Sequence, residues 1–134
     1  MYLLDTNIVS ELVKKSPNDN LKLKLEKVPS ASLYTSSICV MELRYGALRR
    51  EGGGVLWTRI QENIISKLQI LSIGYKEALK AGEVLYRLLS IGKPIGVEDI
   101  LIGSTALSND LIVVSANTKH FSRIPDLTVE NWLS

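Results

Sequence analysis

Tyr2-Leu3-Leu4-Asp5-Thr6-Asn7-Ile8-Val9-Ser10-Glu11-Leu12 is the stretch on which the fold turns. Tyr2-Leu3-Leu4 is short, apolar and β-capable, whereas Ile8 and Leu12, like Val9 and Val13, stand one helical turn apart. The stretch therefore reads strand, turn, helix. In an open α/β sheet, ligands bind just beyond the carboxyl ends of the strands, which is where this reading puts Asp5. A carboxylate is costly to dehydrate, so one at that edge meets a cation or hydrogen-bond donors. It can equally cap the helix that follows. These residues alone leave both roles open.

Further along, the chain repeats the alternation. Ser16-Pro17-Asn18-Asp19-Asn20 is a break. Leu21-Lys22-Leu23-Lys24-Leu25 then alternates like a strand, while Leu21, Leu25 and Val28 fit a helical stripe, and periodicity does not decide between them. Leu33-Tyr34-Thr35 reads as a second strand, with Ser36 or Ser37 capping a helix whose apolar stripe is Ile38, Met41, Tyr45 and Leu48. Glu51-Gly52-Gly53-Gly54 ends that helix. A helix around Trp57 to Lys67 and a strand at Gln69 to Ile73 follow. The next helix carries Ala78, Leu79, Gly82, Leu85 and Leu89 and stops at Gly92, with Pro94 beyond. Asp99 to Ser108 is a helix with Gly103 and Ala106 for close packing. Leu111 to Val114 is a buried strand, and Leu127 to Val129 is the last. Strands alternating with helices imply the α/β class, a parallel sheet covered on both faces.

Length and composition narrow the classes. With 134 residues the chain is expected to be one domain, residues 1–134, with a sizeable core. Hydrophobic residues make up 46%, and no apolar run approaches the ~20 residues of a membrane span. The N-terminus lacks the basic and long apolar regions of a secretory signal, so a cytoplasmic location is expected. Cys39 is the only cysteine and His120 the only histidine. That excludes an intrachain disulfide, a cysteine-based zinc site and any multi-histidine site. A net charge of +2 is too mild to identify a nucleic-acid partner, so the placement of charge matters more than its sum.

Three acids stand where an apolar pattern does not ask for them. Asp5 follows the first strand, Glu42 lies in the helix after the second, and Asp99 opens the helix after Gly92-Lys93-Pro94-Ile95-Gly96. Asn117, after the strand at Leu111 to Val114, is a fourth polar candidate. Singly, each has an ordinary explanation as a cap, a solvated charge or a helix-start acid. Together they fit convergence at one sheet edge. Clustered carboxylates repel unless a cation lies between them, and Mg²⁺ or Mn²⁺ suits an all-oxygen site.

Asp5-Thr6-Asn7, Val40-Met41-Glu42-Leu43-Arg44-Tyr45-Gly46, Gly92-Lys93-Pro94-Ile95-Gly96-Val97-Glu98-Asp99 and Ser115-Ala116-Asn117-Thr118-Lys119-His120-Phe121 occur in that order. Val129-Glu130-Asn131-Trp132 closes the set. This series resembles the PIN-domain ribonucleases, specifically the toxins of VapBC-type toxin–antitoxin pairs. The resemblance spans essentially the whole chain. It implies a three-layer α/β/α fold and a metal-dependent endoribonuclease that hydrolyses RNA phosphodiester bonds. By motif position it implies Asp5, Glu42 and Asp99 as metal ligands and catalytic acids, Mg²⁺ or Mn²⁺ as the ion, and Asn117 in a supporting fourth position. It also favours a helix at Leu21–Leu25. Two positions depart from the family pattern: Glu98 replaces an apolar residue, and Ser115 replaces the commoner Thr.

The resemblance further implies a homodimer, silenced by a VapB-type antitoxin whose tail crosses the active-site groove. The helix at Ile38 to Leu48, the glycines and the helix at Trp57 to Lys67 read as a projecting arm, with Trp57 and Ile60 offered as apolar contacts; the alternative is that the arm folds back and buries them in the domain's own core. Several residues keep two readings. Thr6 and Asn7 orient Asp5 or serve the helix start. Arg49, two turns after Glu42 on the same face, steadies an RNA phosphate or is merely solvated. Lys14, Lys15, Lys93 and Lys119 rim a groove or are scattered surface charge. Glu98 reads as a solvent-facing helix-start charge rather than an extra ligand, and His120 as a surface or packing residue rather than a general acid. The rival functions are a partner-binding module without chemistry and, less in keeping with the scattered acids, a receiver-like phosphoacceptor domain.

Overall fold

β1 (Tyr2–Leu4) is the middle strand of five in the computed structural model of the chain, which describes residues 1–134. The others are β2 (Leu33–Ser36), β3 (Gln69–Leu71), β4 (Ile112–Val114) and β5 (Val129–Glu130). All pairings are parallel and the order is β3-β2-β1-β4-β5. Leu3 and Leu4 are adjacent in sequence, so their side chains leave opposite faces of the pleat. Each is fully buried, Leu3 in one apolar cluster and Leu4 in another. Val113 and Val114 of β4 divide in the same way. This two-sided burial makes the strands read as continuous apolar runs.

Helices supply the outer layers. Ile8 and Val9 of α1 (Thr6–Leu12), Leu21 of α2 (Asp19–Glu26) and Ile60 of α4 (Gly53–Asn63) join Leu4's cluster. Ala81, Val84 and Leu88 of α5 (Tyr75–Ser90), Ile100, Ile102 and Ala106 of α6 (Val97–Ser108) and Phe121 of α7 (Thr118–Phe121) join Leu3's. α3 (Ser37–Leu48) contributes Cys39 to one cluster and Leu43 to the other. Gly103 is held by packing, because a Cβ there would lie 2.5 Å from Ile124 Cδ1. Gly52, at φ 72°, supplies the left-handed turn between α3 and α4 that L side chains rarely adopt.

The undecided Leu21–Leu25 segment is helical. Asn18 caps α2 by accepting from Leu21 N at 3.0 Å, and burial of Leu21 anchors it. Ser36, rather than Ser37, caps α3. The second α-helix of the arm starts earlier than expected, at Gly53, and ends at Asn63, with a separate 3-10 turn over Ile65–Lys67.

Two helices turn a different apolar stripe inward from the one their periodicity suggests. On α3 the buried residues are Cys39, Leu43 and Ala47, while Met41, Tyr45 and Leu48 are exposed, Tyr45 by 60%. On α5 the buried residues are Glu77, Ala81, Val84 and Leu88, while Ala78, Leu79, Gly82, Leu85 and Leu89 face outward. Each helix carries two apolar faces, and periodicity does not say which one the chain itself covers. The arm is also corrected. Ile60 is 3% exposed and Trp57 packs against the same cluster, so neither is held out as a contact.

Candidate active site

β2 and β4 flank β1 on opposite sides, so the chain changes direction in the sheet at β1. Such a switch point opens a crevice beyond the carboxyl ends of the strands. Here it holds a cavity of about 570 Å³. Asp5 enters from the end of β1, Glu42 from the second turn of α3, Asp99 from the first turn of α6, and Asn117 from the loop after β4. The four sequence candidates thus line one cavity. Leu133, the only apolar residue in that lining, comes from the C-terminal segment.

Asp5 serves both roles that its sequence context left open. It caps α1, its Oδ1 accepting from Thr6 N at 2.8 Å, and it faces the cavity. It is 4% exposed. Its Oδ2 accepts from Ser115 Oγ at 2.7 Å and from Asn7 Nδ2 at 3.0 Å. Asn7 Oδ1 in turn accepts from Ala116 N, which ties the end of β4 to that of β1. Burial pushes the Asp5 carboxyl above its ordinary range. The hydrogen bonds from Ser115 and Thr6 oppose that shift, and the charges of Asp99 and Glu42 add to it.

Glu42 is placed by Thr6, whose hydroxyl donates to its Oε1 at 2.6 Å. Thr6 therefore links the two acids rather than orienting Asp5 alone. Oxygens of Asp5 and Glu42 and the Cys39 sulfur all lie within 4.8 Å of one another. Burial pushes the Cys39 thiol up, with the Asp5 charge adding to the effect, so it remains a neutral S–H. A neutral sulfur is no ligand for a hard cation. The usable donors are carboxylate and amide oxygens, and that set fits a divalent ion of the Mg²⁺ class.

Asp99 has its own partners. Asn117 Nδ2 lies 3.4 Å and His120 Nδ1 3.1 Å from Asp99 Oδ2, and these two nitrogens are 2.9 Å apart. His120, read from sequence as surface or packing, thus belongs to the site. Its position one turn after Asn117 on α7 was the available signal. Ser115 holds the site together as well: it donates to Asp5 and accepts from Asn117 N at 2.8 Å. Glu98 is exposed and outside the cavity lining, as its helix-start reading expected. Of the four lysines, Lys14 reaches the lining, paired with Glu11 at 2.8 Å.

Residues 2–127 match the PIN domain family. The chain belongs to that family, among its VapC-type ribonucleases. It is 38% identical to Ribonuclease VapC2 of Haemophilus influenzae, with 98% of each chain covered. It is 30% identical to the tRNA(fMet)-specific endonuclease VapC of Salmonella typhimurium, covering 98% of this chain and 97% of that one. Among solved structures, VapBC2 of Rickettsia felis bound to a DNA fragment from their promoter superposes with a TM-score of 0.89 at 32% identity, covering 98% of both chains. No helix is long and apolar enough to cross a membrane.

Proposed function

We propose that this chain, acting as one domain in the cytoplasm, is a Mg²⁺- or Mn²⁺-dependent endoribonuclease toxin of a VapBC-type pair. The observation that carries the reading is the meeting of Asp5 and Glu42, within 4.8 Å, in a cavity that Asp99 and Asn117 also line. Asp5, Glu42 and Asp99 are the residues that would hold the ion. A bound ion supplies water activation and neutralises charge on the phosphate under attack. The side chains supply placement. Ser115 and Asn7 fix the Asp5 carboxylate, Thr6 fixes that of Glu42, and Asn117 and His120 bracket that of Asp99. Asn117 carries no charge, so its part is to donate and accept hydrogen bonds rather than to balance the cation.

A relative is named for initiator tRNA, which makes tRNA the first RNA to assay. Cleavage that needs Mg²⁺ or Mn²⁺ and stops on chelation is the expected result. Intact RNA under all ionic conditions would leave only the partner-binding reading.

The partners follow from the neighbours and the surface. Related structures are toxin–antitoxin complexes, so a small VapB-type antitoxin is the proposed inhibitor. A basic antitoxin residue near Asp5 and Asp99 competes for the charge that holds the ion. A homodimer is the proposed assembly. The apolar side chains it has to cover are Met41, Tyr45 and Leu48 of α3 and Tyr75, Leu79 and Leu89 of α5, all exposed here. This relocates the contact from the arm residues Trp57 and Ile60. Sedimentation as a monomer at tens of micromolar, an order-of-magnitude bracket for micromolar affinity, would sink the dimer.

A further inference from the structure

The cavity that gathers Asp5, Glu42 and Asp99 is a poor place to attract a polyanion. Glu11 also lines it, and its one cation, Lys14, is tied to Glu11. A second groove, of about 440 Å³, shares Ser10 and Glu42 with that cavity and is otherwise lined by Val13 at the end of α1 and from α3, α4 and the turn after α3. Beyond Glu42, its charged lining is Arg49 and Arg50. We propose that these two arginines hold backbone phosphates of the RNA beside the cleavage site. The proposal rests on the ribonuclease reading above.

Three observations support it. First, no carboxylate lies within ion-pair distance of either arginine. Arg59 of the same arm, by contrast, is engaged, donating to Val13 O at 2.6 Å. Second, Arg49 is oriented, its guanidinium 4.8 Å from the centre of the Tyr45 ring. A guanidinium placed over a ring keeps its N–H donors unspent for phosphate oxygens. Third, Glu42 and Gly46 lie one turn apart on α3, and Arg49, which caps its C-terminus, and Arg50 continue the same line. Arg49 lies about 10 Å along the axis from Glu42, within reach of phosphates of the same strand. A Cβ at Gly46 would meet nothing within 4 Å, so the path between them is open. Of its apolar lining, Leu43, Ala47 and Ile60 are buried and only Val13 and Leu56 are half-buried. They offer little surface to an apolar peptide, which favours a phosphate backbone over an antitoxin segment as the occupant.

The test measures binding of a short labelled single-stranded oligoribonucleotide to the full chain across a range of salt. The chain carries Asp99→Asn to prevent turnover, and Mg²⁺ is present. Arg49→Ala with Arg50→Ala should lower the slope of log affinity against log salt by about 0.7 per arginine. The weakening should be alike for all RNA sequences. In the chain with Asp99 intact the pair should raise KM on the order of tenfold with kcat little changed. Lysine at both positions should keep the slope, and Gly46→Phe should raise KM without altering it. Arg87→Ala, in a groove lined by Lys80, Glu83 and Asp126, is the charge control. An unchanged slope and KM overturn the proposal, as does an equal effect from Arg87→Ala. Loss confined to binding of a co-expressed antitoxin overturns it in favour of a peptide groove. Should the double variant fail to fold, Arg49→Gln and Arg50→Gln separately carry the same test. Absence of cleavage by the unaltered chain sinks the ribonuclease reading, whereas the salt slope judges the arginines alone.

Discussion

The Asp5 side of the cavity and the Asp99 side are built differently. Asp5 is buried and held by three donors, from Thr6, Asn7 and Ser115, which closely follow β1 or β4. The side chain of Asp99 is 22% exposed, and its neighbours are Asn117 and the half-exposed ring of His120. Strand ends are fixed by the sheet ladder, whereas α7 is a four-residue helix. The contrast teaches that one carboxylate is fixed by the fold before any ligand arrives. The other is placed by side chains able to readjust around an ion.

The largest effect expected is from removing either charge. Asp5→Asn and Asp99→Asn should each cost several kcal/mol of transition-state stabilisation, about a thousandfold or more in rate. They should differ in stability. Burial holds the Asp5 carboxyl above its usual value of 3.8. In the metal-free protein the folded state therefore binds that proton more tightly than the unfolded chain does. Its contribution to stability is full below the usual value and is lost as pH rises through the raised one. Asp5→Asn should thus have a Tm at neutral pH at or above that of the unaltered chain, with the gain fading towards acid. A large fall in Tm for Asp5→Asn would erase the contrast between the two sides.

Next in size is Ser115→Ala. It takes a 2.7 Å donor from Asp5 and the acceptor from Asn117 N. Loss of such a supporting bond typically costs 10- to 100-fold in metal affinity or activity, and titration of Mn²⁺ binding would read it. Ser115→Thr keeps the hydroxyl and should retain function. His120→Ala should do less, within about tenfold, because its partner Asp99 keeps Asn117 and access to solvent. An effect on cleavage as large as that of Ser115→Ala would show that the Asp99 side is as fixed as the Asp5 side.

Much of this was legible from local pattern. Leu3-Leu4 followed by Asp5 indicated a buried strand meeting a helix start, and the sheet confirms it, because two-sided burial and a capping acid are local requirements. The parallel α/β class followed from the alternation of elements. Less legible was the side each helix turns inward. Met41, Tyr45 and Leu48 look as apolar as Cys39, Leu43 and Ala47, and α5 repeats the ambiguity. The partnership of His120 with Asp99 spans twenty-one positions of sequence, and no spacing rule reports such a contact.

The sequence by itself determined the alternation of strands and helices, the family, and the four polar residues that line one cavity beyond the strands. Those features rest on residue type, periodicity and motif order along the chain. Only the tertiary structure decided that Ser115 bonds Asp5, that Thr6 joins Asp5 to Glu42, and that Arg49 and Arg50 border a groove opening from the acids. The physical reason is distance in sequence. Ser115 and Asp5 are adjacent only because β1 and β4 pair across a hundred and more residues. Register and helix rotation, which no local pattern encodes, then set which atoms come within bonding reach.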